Sequence, residues 1–151
     1  MHYTQSADMT RFNWLMAETT GVYHAIAQSL GLSDSAFAIL YTLSLLEEPA
    51  PLSQVVQLTG LPKQTVNSAL RKLESDGRIT LEAAGTRKKK LFLTPAGQTL
   101  CREKVHPVLA LEDEIFAAWT QEERTLYLRL TQRYLDDLKE KSRQRLGGSH
   151  G

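Results

Sequence analysis

Apolar residues recur at three- and four-residue steps through much of the chain, the spacing of one face of an α-helix. The first such run extends over 12–30 and ends at Gly31. The segment Ser33–Ser35 then offers an N-cap, and Ala36–Leu46 forms a second and unusually apolar run. The pattern predicts an amphipathic helix followed by a helix that is buried on most of its sides.

Two short helices are predicted after the break at Pro49–Pro51. We expect Ser53 to cap the first of them, which runs to about Thr59, and Gly60 to end it in a left-handed conformation. Pro62 fits the first position of the second helix. That helix runs to about residue 75, where Asp and Gly close it.

The spacing of apolar residues in this pair is typical of a helix-turn-helix. With Leu52 as the first position, Val56 is the fifth, Gly60 the ninth and Val66 the fifteenth. At those positions the motif needs an apolar contact, a turn glycine and an apolar contact between the helices. Its second helix enters the major groove of DNA.

Polar residues on the second helix are candidates for contacts with DNA. Asn and Gln can pair with adenine, and Arg and Lys with guanine, although any solvent-facing helix also carries such residues. We expect Val66, Ala69, Leu70 and Leu73 to face the core. The candidate DNA contacts are Lys63, Gln64, Thr65, Asn67, Ser68, Arg71 and Lys72.

A basic hairpin follows directly. Arg78–Glu82 alternates polar and apolar residues as a half-buried strand does, and Leu91–Leu93 is predicted to be the returning strand. The loop between them is basic and can reach the phosphate backbone or the minor groove. Its candidate DNA contacts are Arg87, Lys88, Lys89 and Lys90.

Two long helices are predicted to close the chain, over about 96–119 and 122–143. Pro107 should kink the first or end it near His106. Thr120 and Glu123 have the spacing of a capping box. The last helix has an apolar stripe that could contact a helical partner, formed by Leu126, Leu130, Tyr134 and Leu138.

Composition changes this picture only in part. The 151 residues are 42% hydrophobic and 23% charged, which argues against disordered and fibrous classes. No apolar run approaches the roughly 20 residues that span a bilayer, and the N-terminus does not resemble a signal peptide, so a cytoplasmic protein without a membrane partner is expected. The single cysteine, Cys101, excludes an internal disulfide and a zinc site built on paired cysteines.

The net charge of +1 conceals an uneven distribution. Residues 61–90 contain eight basic and three acidic residues, a charge of +5. The rest of the chain contains ten basic and fourteen acidic residues, a charge of −4. The excess positive charge therefore coincides with the predicted helix-turn-helix and hairpin, as a local DNA-binding surface requires.

The order of these elements resembles the MarR family of bacterial winged-helix regulators over roughly residues 8–143. The resemblance rests on the segment Leu70–Ile79 and on the Leu-Thr-Pro-Ala-Gly sequence of Leu93–Gly97. It implies a mainly α (α+β) fold with an N-terminal dimerisation helix (1–32), a winged helix-turn-helix DNA-binding domain (33–95), C-terminal dimerisation helices (96–145) and a flexible tail (146–151).

The same resemblance implies a homodimeric repressor that binds a pseudo-palindromic double-stranded DNA operator and is released by a small aromatic or lipophilic ligand. Arg87 matches the wing arginine of the family, but Gly85 stands where the family usually has an aspartate that braces it. Residues that could line the ligand pocket, or could equally pack in the core or a dimer interface, are Trp14, Tyr23, His24 and Tyr41.

Two other functions stay open at this stage. Cys101 could sense oxidants, although a structural cysteine is the simpler interpretation. A winged helix can also bind a protein instead of DNA. The scattered histidines, with no nucleophile–base pair and no phosphate-binding loop, indicate that the chain is not an enzyme, and no cofactor or metal is expected.

Overall fold

The computed structural model describes residues 1–84 and 88–147, and the fold is mainly helical with one small antiparallel sheet, as the sequence predicts. The elements in chain order are α1 (Ala7–Ser29), α2 (Asp34–Leu45), β1 (Ala50–Pro51), α3 (Leu52–Thr59), α4 (Lys63–Ser75), β2 (Ile79–Ala84), β3 (Lys88–Leu93), α5 (Pro95–Leu100), a π-helical segment (Cys101–Val105), α6 (His106–Ala117) and α7 (Gln121–Leu146).

The chain divides into two compact units, Met1–Pro107 and Val108–Gly151. In the first unit, α2 packs against α3, α4 and the π-helical segment. Ile39 and Leu40 of α2 are fully buried, as are Val55 of α3 and Val66 of α4. The apolar sequence of α2 therefore forms the centre of the winged-helix core, as its composition predicts. The division into an N-terminal dimerisation helix, a DNA-binding domain, C-terminal dimerisation helices and a tail, which the family resemblance implies, stays a prediction.

The sheet has the strand order β1-β3-β2, with both pairs antiparallel. Ala50 of β1 pairs with Leu91 of β3, which in turn pairs with Leu81 of β2. The sequence did not predict β1. It also placed residues 88–90 in a loop, which is wrong, because the hydrogen-bonded ladder between β2 and β3 continues to Ala84 and Lys88.

The helix boundaries correct two local expectations. Ser53 is not the N-cap of α3, because the helix begins at Leu52, directly after β1. Pro62 is the N-cap of α4 and not its first helical residue. The expectation for Gly60 is confirmed: its φ of 66° is left-handed, a conformation that glycine adopts without steric cost.

The Leu-Thr-Pro-Ala-Gly sequence forms the junction between the hairpin and α5. The Thr94 hydroxyl donates to the carbonyl oxygen of Gly77 at 2.6 Å and accepts from the backbone N–H of Gly97 at 3.0 Å. The backbone N–H of Thr94 donates to the carbonyl oxygen of Arg78 at 3.0 Å. A Cβ atom at Gly97 would overlap that Arg78 carbonyl. The threonine and the glycine are therefore both required for this close approach.

The helix that contains Pro107 changes its hydrogen-bond pattern before the proline instead of ending there. In the π-helical segment, the N–H of His106 donates to the carbonyl oxygen of Cys101, five residues earlier. A proline cannot donate to the carbonyl four residues before it, and its ring crowds that carbonyl. The wider π-helical turn lies directly before Pro107, where the ordinary hydrogen bond to the carbonyl four residues earlier cannot form.

Cys101 begins the π-helical segment, and its side chain is buried in the core of the first unit. Its Sγ lies 3.8 Å from the carbonyl oxygen of Leu40 in α2. Burial raises the pKa of the Cys101 thiol, and a hydrogen bond with Ser44 only partly opposes that effect. The thiolate, which is the nucleophilic form, is therefore disfavoured.

In the second unit, the turn between α6 and α7 is stabilised by a capping box and by Arg124. The predicted capping box is confirmed: Thr120 accepts from the N–H of Glu123 at 3.1 Å, and Glu123 accepts from the N–H of Thr120 at 2.9 Å. Hydrogen bonds from the backbone N–H and the side chain of Thr120 lower the pKa of the Glu123 carboxyl. Arg124 donates to the carbonyl oxygens of Phe116 and Trp119.

Helices α1 and α7 bury little of their apolar surface in the chain itself. Of the 23 residues of α1, all described, only Ala27 is buried, and none of the 26 described residues of α7 is buried. Along the described ranges, no helix is both long and apolar enough to span a membrane. Exposed apolar side chains on these two helices include Phe12, Trp14, Leu15, Leu126, Leu130, Tyr134 and Leu138.

We expect Gly97→Ala to lower the free energy of unfolding by about 1–3 kcal/mol, because the new methyl group forces the backbone of α5 away from Arg78. Chemical denaturation measures the change. Gly21→Ala is the matched control: no atom lies within 4 Å of its new Cβ, and alanine in a helix interior should stabilise by about 0.5–1 kcal/mol. Equal effects of the two substitutions would contradict the close approach at Gly97.

We expect the Cys101 thiol to react with a disulfide reagent far more slowly in the native protein than in denaturant, because it is 1% exposed and its pKa is raised. Thiol titration with and without denaturant measures the two rates. A native rate close to that of the unfolded chain would show that Cys101 is accessible.

Candidate nucleic-acid interface

The rotation of α4 about its axis is fixed by its buried residues. Val66, Leu70 and Leu73 are buried, as the sequence predicts, and Ala69 is half-buried beside them. Successive side chains advance by about 100° around an α-helix. The position of each polar residue relative to the core therefore follows from its number, and the candidate DNA contacts of α4 separate into three groups.

The first group lies opposite the core. Gln64, Ser68 and Arg71 are exposed, and the helical spacing places them on the outer face of α4. The Ser68 hydroxyl donates to the carbonyl oxygen of Gln64 at 3.1 Å, so its oxygen can still accept a hydrogen bond. This outer face combines an amide, a hydroxyl and a guanidinium within two helical turns.

The second group lies on the side of α4 that faces the hairpin. Lys63 and Asn67 line a cleft of about 990 Å³ together with Lys89 and Lys90 of β3. Asn67 is half-buried and also lines a smaller cleft that includes Arg71 and Lys89. Three lysines from two elements thus surround one concave surface, which the structure assembles from segments more than twenty residues apart.

The cleft also includes residues that the sequence analysis did not assign to it. Pro51, Leu52, Ser53 and Val56 form its wall on the side of α3. Ser53 is exposed at the second position of α3, where backbone N–H groups lack intrahelical partners. The sequence analysis treated Pro49–Pro51 only as a break between helices. In the structure Ala50 and Pro51 pair with β3, so the start of α3 at Leu52 lies beside that strand.

The third group lies on the flank of α4 that faces away from the hairpin. Thr65 and Lys72 are exposed, and helical spacing places both of them on this flank. Lys72 lines a separate cleft with residues of α2 and the π-helical segment. The structure therefore does not bring Lys72 together with the lysines of the hairpin.

The tip of the hairpin is only partly described. Arg87 lies outside the described residues, so its predicted contact stays a prediction. Lys88 belongs to β3 by its backbone pairing with Ala84. Lys89 is exposed and Lys90 is half-buried, with their backbones paired to Ala83 and Glu82.

The four residues predicted to line a ligand pocket are spread over α1 and α2. Trp14 is 68% exposed, and it lies ten residues before His24, or about 15 Å along a helix. The Nδ1 atom of His24 lies 2.8 Å from both carboxylate oxygens of Asp34. Tyr23 is half-buried. The ring of Tyr41 contacts that of Phe37 at a centroid distance of 5.9 Å.

The site contains no arrangement suited to metal binding within 1–84 and 88–147. No group of three or more His, Cys, Asp or Glu side chains in these ranges could hold a metal ion. What the described residues supply is hydrogen-bond donors, positive charge and a concave surface between a helix and a strand.

Comparison with known proteins gives a family for this part of the chain. Residues 30–90 match the sequence model of the MarR family, a range that contains α2, α3, α4 and the hairpin. Comparison with curated proteins gives no match.

Many solved structures share the fold. NMB1585, a MarR family regulator from Neisseria meningitidis, aligns with a TM-score of 0.75 at 24% identity, over 91% of this chain and 96% of that chain. S. aureus MepR in its DNA-binding conformation aligns with a TM-score of 0.74 at 18% identity, over 88% and 99%. Bordetella bronchiseptica BpsR, whose DNA binding is regulated by 6-hydroxynicotinic acid, aligns with a TM-score of 0.63 at 22% identity, over 82% and 98%.

The resemblance that the sequence indicated is thereby confirmed on two grounds. The family sequence model covers the winged-helix region, and the similarity of fold extends over most of the chain. Residues 30–90 match the sequence model of the MarR family, and the chain has the winged-helix fold of the MarR family structures to which it is similar.

Proposed function

We propose that the protein is a DNA-binding transcriptional regulator that acts as a homodimeric repressor on a pseudo-palindromic operator. The observation that carries this proposal is the outer face of α4 beside the lysine-lined cleft of α4 and β3. A helix with polar side chains opposite its buried face can read base edges in the major groove. The adjacent concave, positively charged surface suits the sugar-phosphate backbone.

The first two groups of α4 residues have different roles in this proposal. Gln64, Ser68 and Arg71 contact base edges, because they are farthest from the core. Lys63, Lys89 and Lys90 contact phosphates, which fixes the register without reading sequence. Asn67 is half-buried and lines the cleft, where it contacts either a base edge or a phosphate. Arg87 and Lys88 are the proposed contacts with the minor groove, as the family resemblance implies.

Dimer formation is supported by the exposed apolar surface of α1 and, independently, by that of α7. Each helix exposes large apolar side chains that the chain itself does not bury. Contiguous exposed apolar surface is typical of protein–protein interfaces. In a two-fold dimer, the two copies of α4 would enter successive major grooves about 34–36 Å apart. The N-terminal helix and the C-terminal helices are the proposed dimerisation elements.

Regulation by a small aromatic or lipophilic ligand is part of the proposal. The structurally similar BpsR is a protein whose DNA binding is regulated by 6-hydroxynicotinic acid. Trp14, Tyr23, His24 and Tyr41 are the proposed ligand-contact residues, now placed on α1 and α2. A cysteine-based redox sensor is a weaker alternative, because the Cys101 thiol is buried and its pKa is raised.

We expect log K for binding to DNA upstream of the protein's own gene to fall linearly with log salt, because bound lysines release counterions. Lys89→Gln should reduce that slope by about 1 and weaken binding to operator and random DNA alike. Fluorescence anisotropy with labelled duplexes measures both quantities. Binding that does not depend on salt, or no binding to any duplex, would instead favour a protein-interaction module.

Gln64→Ala and Arg71→Ala should each reduce the preference for operator over random DNA by about 1–3 kcal/mol, because base contacts supply the discrimination. The matched control is Gln98→Ala, an exposed polar residue of α5 outside the predicted DNA contacts, which should leave the preference nearly unchanged. Footprinting locates the operator, and competition binding gives the preference. Equal losses on operator and random DNA would exclude Gln64 and Arg71 as base readers.

The double substitution Leu130→Glu and Leu138→Glu should convert a dimer to a monomer, because it places two charges in the apolar surface of α7. Gln132→Glu, two residues from Leu130 and on another side of the helix, is the control and should remain dimeric. Sedimentation velocity measures the mass. A wild-type monomer, or an unchanged dimer of the double variant, would contradict the proposed role of α7.

A further inference from the structure

A carboxylate from the segment between α2 and β1 holds the end of β3. The Oε1 atom of Glu48 accepts a hydrogen bond from the backbone N–H of Leu93 at 2.8 Å. Ala50 of β1 pairs with Leu91 of β3 in an antiparallel register, so the position that faces Leu93 is that of Glu48. The side chain of Glu48 therefore supplies an acceptor at the point where a longer β1 would supply a backbone carbonyl.

Two prolines explain why the backbone pairing of β1 does not reach this point. Pro49 and Pro51 flank Ala50, and neither has an N–H group to donate to β3. The strand is accordingly only two residues long. Glu48 directly precedes the first of these prolines, and its side chain extends the contact with β3 beyond the residues that the backbone can pair.

The N–H group of Leu93 faces the side of β3 that β1 covers only in part. The N–H of the next residue, Thr94, donates to the carbonyl oxygen of Arg78 at 3.0 Å, directly before the start of β2. Successive N–H groups of a strand point to opposite edges, so the N–H of Leu93 points towards Glu48. A hydrogen bond to an ionised carboxylate is roughly twice as strong as one between neutral groups.

The strand that Glu48 holds carries two lysines of the lysine-lined cleft. Lys89 and Lys90 line that cleft, and Leu91, which follows them, is fully buried. Lys90 lies three residues before Leu93, or about 10 Å along an extended strand. Pairing with β1 fixes β3 at Lys90 and Leu91, and the Glu48 hydrogen bond adds a second point of attachment. Two points fix the direction of the strand as well as its position.

We propose that Glu48 is a positioning residue for DNA binding: through Leu93 it fixes β3, and with it Lys89 and Lys90, without touching DNA itself. This inference rests on the proposed function and adds a residue to it. The sign of the expected effect separates it from simple electrostatics. Removing a negative charge from a DNA-binding protein should by itself strengthen binding, whereas loss of the anchor should weaken it.

Amide hydrogen exchange of the free protein, followed by NMR, tests the anchor. In Glu48→Ala, exchange at Leu93 should become about tenfold faster, because the amide loses a hydrogen bond to a charged group. Glu48→Gln keeps an oxygen acceptor of the same reach, so exchange at Leu93 should stay close to the wild-type rate. Leu91, paired with both neighbouring strands, is the internal reference. An unchanged rate at Leu93 in Glu48→Ala would overturn the inference.

Fluorescence anisotropy with labelled duplexes tests the effect on DNA. Glu48→Ala should weaken binding to operator and random DNA alike, by about threefold to tenfold, because the displaced lysines contact phosphates and not bases. Glu48→Gln should bind both duplexes at least as tightly as the wild type, since it keeps the acceptor and removes the charge.

Glu47→Ala is the matched control. Glu47 is the neighbouring exposed glutamate, and its substitution removes the same charge from the same segment, so binding should be unchanged or slightly tighter. If Glu48→Ala does not fold, Glu48→Asp takes its place. The aspartate keeps the charge but is one methylene shorter, so it should lose the contact with Leu93 and weaken binding in the same direction.

Three results would overturn this inference and leave the proposed function intact. They are wild-type affinity of the folded Glu48→Ala or Glu48→Asp protein, weakening by Glu48→Gln equal to that by Glu48→Ala, and equal weakening by Glu47→Ala. A wild-type protein that binds no duplex would instead overturn the proposed function, and with it the link from Glu48 to DNA. Exchange at Leu93 would still report on the anchor in that case, so the two failures are distinguishable.

Discussion

The contact between Gly97 and the carbonyl group of Arg78 determines how the parts of the winged helix are arranged. Thr94 makes hydrogen bonds with Gly77, Arg78 and Gly97. These bonds join the turn between α4 and β2 to the turn between β3 and α5. A longer side chain at position 97 would separate these backbones. The orientation of the hairpin relative to α4, and with it the shape of the lysine-lined cleft, depends on this junction.

The burial of α4 on a single face gives its other faces different surroundings. The outer face carries exposed polar groups, the flank beside β3 completes the lysine-lined cleft, and the opposite flank lines a second cleft with Ser33 and Lys104. A helix of 13 residues thus presents three distinct surfaces besides its buried face.

Much of the fold and part of the site could be predicted from the sequence, because periodicity and capping are local. The buried face of α4, the left-handed Gly60 and the capping box at Thr120 follow from neighbouring residues. The pairing of Ala50 with Leu91 could not be predicted, since it joins positions about forty residues apart. For the same reason residues 88–90 were assigned to a loop, and the sequence did not show that Lys72 lies on the flank of α4 that faces away from them. Local sequence identifies the polar residues of α4, but only the packing shows which of them share a surface.

The strand β1 has a consequence for the behaviour of the protein in concentrated solution. A hairpin exposes unpaired N–H and C=O groups along its edges, and such edges can recruit strands from other molecules. Here Ala50 and Pro51 pair with β3 and cover part of that edge. Because Pro51 has no N–H and its ring disfavours continued pairing, the sheet ends there. These two residues reduce the length of the β3 edge with which another molecule could pair, while β2 remains an edge strand of the sheet.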